Sequence, residues 1–103
     1  MVINDDANWL FELRGRLEKI LDSFLSYCCL SSSRELFETL KPAVRNVDDA
    51  VFGSIWGQYE RFLYDFVRQS RNRPPNSEEI QEGQKAFLKR IFEIQSRIYE
   101  TKR

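Results

Sequence analysis

The stretch that decides the fold is Val51–Val67, VFGSIWGQYERFLYDFV, which holds six of the chain's fourteen aromatic residues and two interior glycines. Projected at about 100° per residue, its Val51, Phe52, Ile55, Trp56, Tyr59, Phe62, Leu63, Phe66 and Val67 share one broad sector. Such a sector belongs to a central helix that touches two neighbours at once, and it predicts an aromatic core. Gly53, Gly57 and Tyr64 project together on a different face, beside Glu60. A glycine in a helix interior costs about 1 kcal/mol relative to alanine, so two of them four residues apart point to a close approach of another element. Two occupants fit that face: the short helix expected elsewhere in this chain, or a second protein surface.

Working outward, the helix caps at Asn46 or Asp48 and runs from 48 to about 71. The segment Arg71-Asn72-Arg73-Pro74-Pro75-Asn76 is a firm stop, because paired prolines cannot continue a helix. Asn76 or Ser77 then caps a last helix over 77–101, with Glu78 and Glu79 in its first turn. Its seam is Ile80, Phe87, Ile91, Ile94 and Ile98. Toward the N-terminus, Leu10, Leu13, Leu17, Ile20 and Phe24 recur in steps of three and four and predict a helix over 8–30. Met1 to Asp6 reads as a frayed arm, with Asp5, Asp6 and Asn8 as competing N-caps. A break at Leu30-Ser31-Ser32-Ser33 follows. Ser32 and Glu35 have capping-box spacing, which predicts a short helix over 33–40 ended by Pro42. No segment alternates with period two. The fold class expected is all-α, an antiparallel bundle of three long helices and one short one, spanning residues 1–103 as one domain.

Asn8-Trp9-Leu10 and Glu79-Ile80-Gln81 are similar to two short pieces of a spectrin-type repeat, which is also about this long and built of three helices. The likeness is one of coiled-coil patterning, and it departs at Pro42, which interrupts what would be a continuous middle helix.

Composition sets limits on function. The chain has 103 residues and no net formal charge, with 16 basic and 16 acidic groups. Residues 1–60 carry 6 Lys/Arg against 10 Asp/Glu, and residues 61–103 carry 10 against 6, so the two halves are oppositely biased. There is no histidine, which removes His-dependent nucleophile systems and most zinc sites. No phosphate-binding glycine loop is present. An enzyme is not expected, nor a metal or cofactor. Cys28 and Cys29 are adjacent, cannot bridge within a helix, and read as small buried hydrophobes at the end of the first helix. A reducing, cytoplasmic setting is the expectation. No apolar run approaches the ~20 residues of a membrane span.

Two candidate surfaces remain. Leu88, Phe92 and Tyr99 form a second apolar line beside the seam of the last helix, and Phe11 and Leu25 lie off the seam of the first. More apolar surface than a small bundle can bury marks an interface. With the Gly53/Gly57/Tyr64 face, this line predicts a protein-interaction module, a homodimer or a small subunit of a larger assembly. The alternative is a nucleic-acid-associated subunit that grips phosphates through a basic end made of Arg68, Arg71, Arg73, Lys85, Lys89 and Arg90.

Overall fold

The structure, a computed structural model, describes residues 2–102, with side chains from residue 7 onward. Among the described residues there are five helices and no strand: α1 (Val2–Phe24), α2 (Tyr27–Thr39), α3 (Val47–Arg71), α4 (Ser77–Lys89) and α5 (Ile91–Glu100). The molecule is an all-α bundle, elongated to 54 × 22 × 19 Å. α1 and the α4–α5 pair run side by side in the same direction, and α3 runs antiparallel to both. The polar ties between them fix this order: Trp9 meets Glu79, Arg14 meets Glu82, and Arg97 reaches the Leu25 carbonyl. α2 packs across the first half of α3.

The core is a ladder along the whole length. Trp9, Leu13, Leu17 and Leu21 of α1, with Leu25 in the turn after it, meet Val51, Ile55, Tyr59, Leu63 and Val67 of α3, closed by Phe87, Ile94 and Ile98. Leu25 belongs to this ladder and is fully buried, so it does not lie off the seam as the spacing predicted. Phe52, Trp56, Phe62 and Phe66 are partly buried against the same core. The broad aromatic sector of α3 therefore divides into a buried stripe and two half-buried edges.

Three boundaries differ from expectation, each for a local reason. The helix predicted over 8–30 ends at Phe24. Ser26, in extended geometry, accepts the Cys29 amide and starts α2 there, so Ser32 and Glu35 are mid-helix. The triple serine stays helical because Leu30 and Arg34 bury on either side of it, and packing outweighs weak propensity. This moves Cys28 and Cys29 to the first turn of α2, where both are exposed rather than buried. The last helix is interrupted at Arg90, whose backbone leaves helical geometry while its guanidinium holds Glu93 and Asp22. No proline or glycine signals that break. At the N-terminus α1 is already helical at Val2, so 2–6 is not a frayed arm. The side chains of Asp5 and Asp6, proposed as caps, lie outside the described residues, as do Met1 and Arg103. Of the two cap candidates at each start, Asn46 rather than Asp48 caps α3 and Asn76 rather than Ser77 caps α4, and Asn72 in left-handed geometry closes α3.

Two polar clusters pin the ends of the bundle. At one end Glu79 is 1 % exposed, yet fully satisfied. It takes two hydrogen bonds from Arg73 (2.8 Å each), one from Trp9 Nε1 (2.7 Å) and one from the Asn76 amide (2.8 Å). Asn76 accepts from the Glu79 amide in return, completing a capping box. At the other end the buried Arg34 donates to Thr101 Oγ1 (2.7 Å), to the Ile98 carbonyl (3.1 Å) and to Asp48. Partial desolvation opposes ionisation of Asp48, but hydrogen bonds from Arg34 and Lys102 outweigh it and hold the carboxyl below its ordinary value.

The Arg73 hydrogen bonds, against the cost of burial and with help from Asn76 and Trp9, hold the Glu79 carboxyl down at about 2. Its folded-state pKa is depressed, so its contribution to stability is whole above the ordinary carboxylate range and is lost as pH falls toward about 2. Glu79→Gln should lose about 3 kcal/mol near neutral pH, since it leaves Arg73 and Trp9 facing a mismatched partner. Urea unfolding of the wild type and Glu79→Gln should converge as the pH is lowered through that window. A gap that stays constant with pH would contradict this assignment.

Candidate interaction groove

The packing of α3 against α4 creates a groove as a by-product of its aromatic edge. Phe87 of α4 inserts between the α3 rings, 5.8 Å from Phe52, 4.8 Å from Trp56 and 5.2 Å from Tyr59, ring centre to ring centre. Tyr59 is wholly buried and donates its hydroxyl to the Gly83 carbonyl at 2.7 Å. Burial raises its phenol pKa, as does the nearby charge of Glu18 and Glu82. These contacts set the level of α3 against α4, with Trp56 beside Phe87 and Tyr59 beside Gly83.

Above the buried rings Phe52 and Trp56 stay half-exposed and form a floor. An apolar cleft of about 470 Å³ lies over Phe52, Trp56, Phe87, Leu88 and Ile91. A second hollow of about 410 Å³ continues it past Phe52 to Tyr99. At the other end the groove closes onto Trp56, Glu60, Tyr64 and Gln84. Measured along α3 from Asp49 to Tyr64, the groove is about 22 Å long.

Of the sequence-predicted residues, Tyr64, Leu88 and Tyr99 line these hollows, while Gly53, Gly57 and Phe92 line none of them and lie beside the groove on the same helix faces. On the α4–α5 side Leu88 is 63 % exposed, Phe92 81 % and Tyr99 66 %. The α3 side carries Gly53, Gly57 and Tyr64, all exposed. A Cβ built on Gly53 or Gly57 meets nothing within 4 Å, so neither α2 nor any other described part of this chain makes the close approach the two glycines imply. The glycine under real steric demand is Gly83, where a Cβ would lie 2.8 Å from Leu63 Cδ2. The sequence pattern passed over Gly83, because a single glycine in a helix has no partner to give it a spacing. It also treated Phe52 and Trp56 as core alone, because a helical projection cannot tell a buried stripe from its half-exposed edge.

The six basic residues do not gather into one end. Arg73 is locked on Glu79. Arg90, its side chain 16 % exposed, is held by Glu93, Asp22 and the Glu18 carbonyl. Arg71 lies over the Trp9 ring at 5.0 Å. Arg68, Lys85 and Lys89 are exposed, but the two lysines stand about 9–15 Å along α4 from Glu79, well away from the end of α3. A larger cleft of about 820 Å³ opens between α2, the 41–46 connector and the C-terminal turn, lined by Arg34, Glu38, Lys41, Asp48 and Lys102 among others. Most of its charges are engaged with one another: Arg34 and Lys102 with Asp48, and Lys41 with Glu38 at 2.8 Å, while Glu35 and Arg45 also line it.

The chain matches no protein-family model, and neither a curated protein nor a solved structure is similar to it. Among the described residues no helix is long and apolar enough to cross a membrane.

The three glycines should respond oppositely to enlargement. Gly53→Ala and Gly57→Ala should each stabilise the dilute protein by up to about 1 kcal/mol, the helix-propensity gain in open space. Gly83→Val should destabilise it by about 1–3 kcal/mol through overpacking against Leu63. Denaturant midpoints of the three variants check both signs.

Proposed function

We propose that this chain is a non-enzymatic protein-interaction module that works through the α3/α4–α5 groove. The observation that carries the reading is the concentration of large exposed apolar side chains on and beside one wall of a preformed apolar cleft, with Leu88 and Tyr99 lining it and Phe92 on the same face. Exposed to between 63 % and 81 %, Leu88, Phe92 and Tyr99 together present on the order of 400 Å². The half-exposed Phe52 and Trp56 extend that area across the floor. Rigid rings beside a shaped hollow are the anchors from which protein interfaces draw most of their affinity. The opposite wall supports the same reading, because bare helix backbone at Gly53 and Gly57 lets a partner helix come closer than any other residue would allow. The scattered placement of the basic residues argues against the phosphate-binding alternative.

Photo-crosslinking in the native host tests this. A benzophenone amino acid at position 92 or 99 should capture a protein, and the same group at Gln69 or Ser70, exposed on α3 away from the groove, should not. Adding Leu88→Asp should abolish the capture. Equal crosslinking from both sets of positions would remove the groove from the account.

A further inference from the structure

Accepting that the groove is a docking face, the arrangement of its two walls says what docks there. We infer that the occupant is a second copy of this chain, related by a twofold axis parallel to the helices. Such an axis lays the α3 wall of one copy over the α4–α5 wall of the other at the same height along the bundle. The levels are known from the internal contacts, which put Trp56 beside Phe87 and Tyr59 beside Gly83. With Phe87 also against Phe52, the same count puts Leu88 within about one helical turn of both Gly53 and Gly57. The twofold therefore brings the exposed Leu88 of each copy onto the bare backbone that the partner's two glycines leave, a knob over a hole.

The charges follow the same operator. Glu60 is exposed on the α3 wall and Lys85 on the outer edge of the α4 wall. They lie within about one helical turn of the same level. Neither is held by an ion pair among the described residues. In the twofold pair each Glu60 faces the partner's Lys85, so two such pairs rim the apolar centre. A twofold axis across the helices would instead set like walls together, Leu88 and Lys85 against Leu88 and Lys85. Only the parallel axis matches cation to anion and knob to hole, and this self-complementarity selects a second copy over an unrelated partner.

Sedimentation equilibrium from micromolar to submillimolar concentration provides the test. The wild type should be a dimer across part of that range. Gly57→Leu should fill the hole and leave a monomer, yet that monomer should unfold at a higher temperature than the dilute wild type, since the added side chain meets open space. Loss of the dimer is then not loss of the fold. Glu60→Lys and Lys85→Glu should each weaken the dimer by about tenfold. The two single variants mixed together should form a heterodimer of restored strength, because both rim pairs are then correctly matched. A strictly monomeric wild type overturns the inference, as does a dimer indifferent to Gly57→Leu and to the charge swap. Crosslinking from position 92 to a different protein, with the chain itself monomeric, would leave the groove as a docking face and sink only the second copy.

Discussion

The carboxylate of Glu79 joins three parts of the chain at one point. It is the last half of the capping box that starts α4, the anchor of the Arg73 loop arm, and the acceptor for the Trp9 indole on α1. A buried charge is tolerated only when its desolvation is repaid by near-complete hydrogen bonding, and here all the acceptor capacity is directed at donors from those three parts. The consequence reaches the groove. The α3–α4 turn fixes where α4 begins, and with it the level at which Phe87 enters the α3 rings. Were α4 to start one residue later, Leu88 and Phe92 would rotate by about 100° and the wall would be dismantled.

The glycines of α3 and α4 meet different demands. A side chain at Gly83 would need the buried end of Leu63 to shift, and the glycine's cost in helix propensity is offset inside the fold. Gly53 and Gly57 have the same propensity cost and no compensating contact among the described residues. A helix of this length tolerates them because the stripe Val51, Ile55, Tyr59, Leu63 and Val67 is fully committed to the core.

What could be read from sequence followed from periodicity and turn chemistry. The apolar stripe of α3, the cap candidates at Asn46 and Asn76 and the Pro74-Pro75 stop are short-range signals, and they place α3 and the start of α4 within a residue, whereas the α1 stripe falls one residue off the predicted one at Trp9, Leu21 and Leu25. The exposed line Leu88, Phe92, Tyr99 was also legible, since helical projection leaves those three without a buried neighbour. What could not be read depends on long-range partners. The break at Ser26 competes with an equally good-looking one at Ser32, and only the burial of Leu30 and Arg34 against α3 decides between them. The break at Arg90 has no breaker residue, because ion pairing to α1 and to Glu93 produces it. Glu79 looks like any first-turn glutamate until Trp9, seventy positions away, is seen to bond to it.

The Arg34 cluster at the far end has a bearing on the whole ladder. Leucines repeating every three or four residues are nearly indifferent to a shift of one helix along another by a heptad, so an apolar seam alone defines a bundle only up to such a slip. Trp9 on Glu79 at one end and Arg34 on Asp48 and Thr101 at the other act as index pins. A displaced α1 would strand an indole N–H and a displaced α2 a buried guanidinium, at about 1–3 kcal/mol or more for each unpaired group. Pinned at both extremities, the bundle works as a rigid ruler, and every surface feature between the pins keeps a fixed spacing from every other.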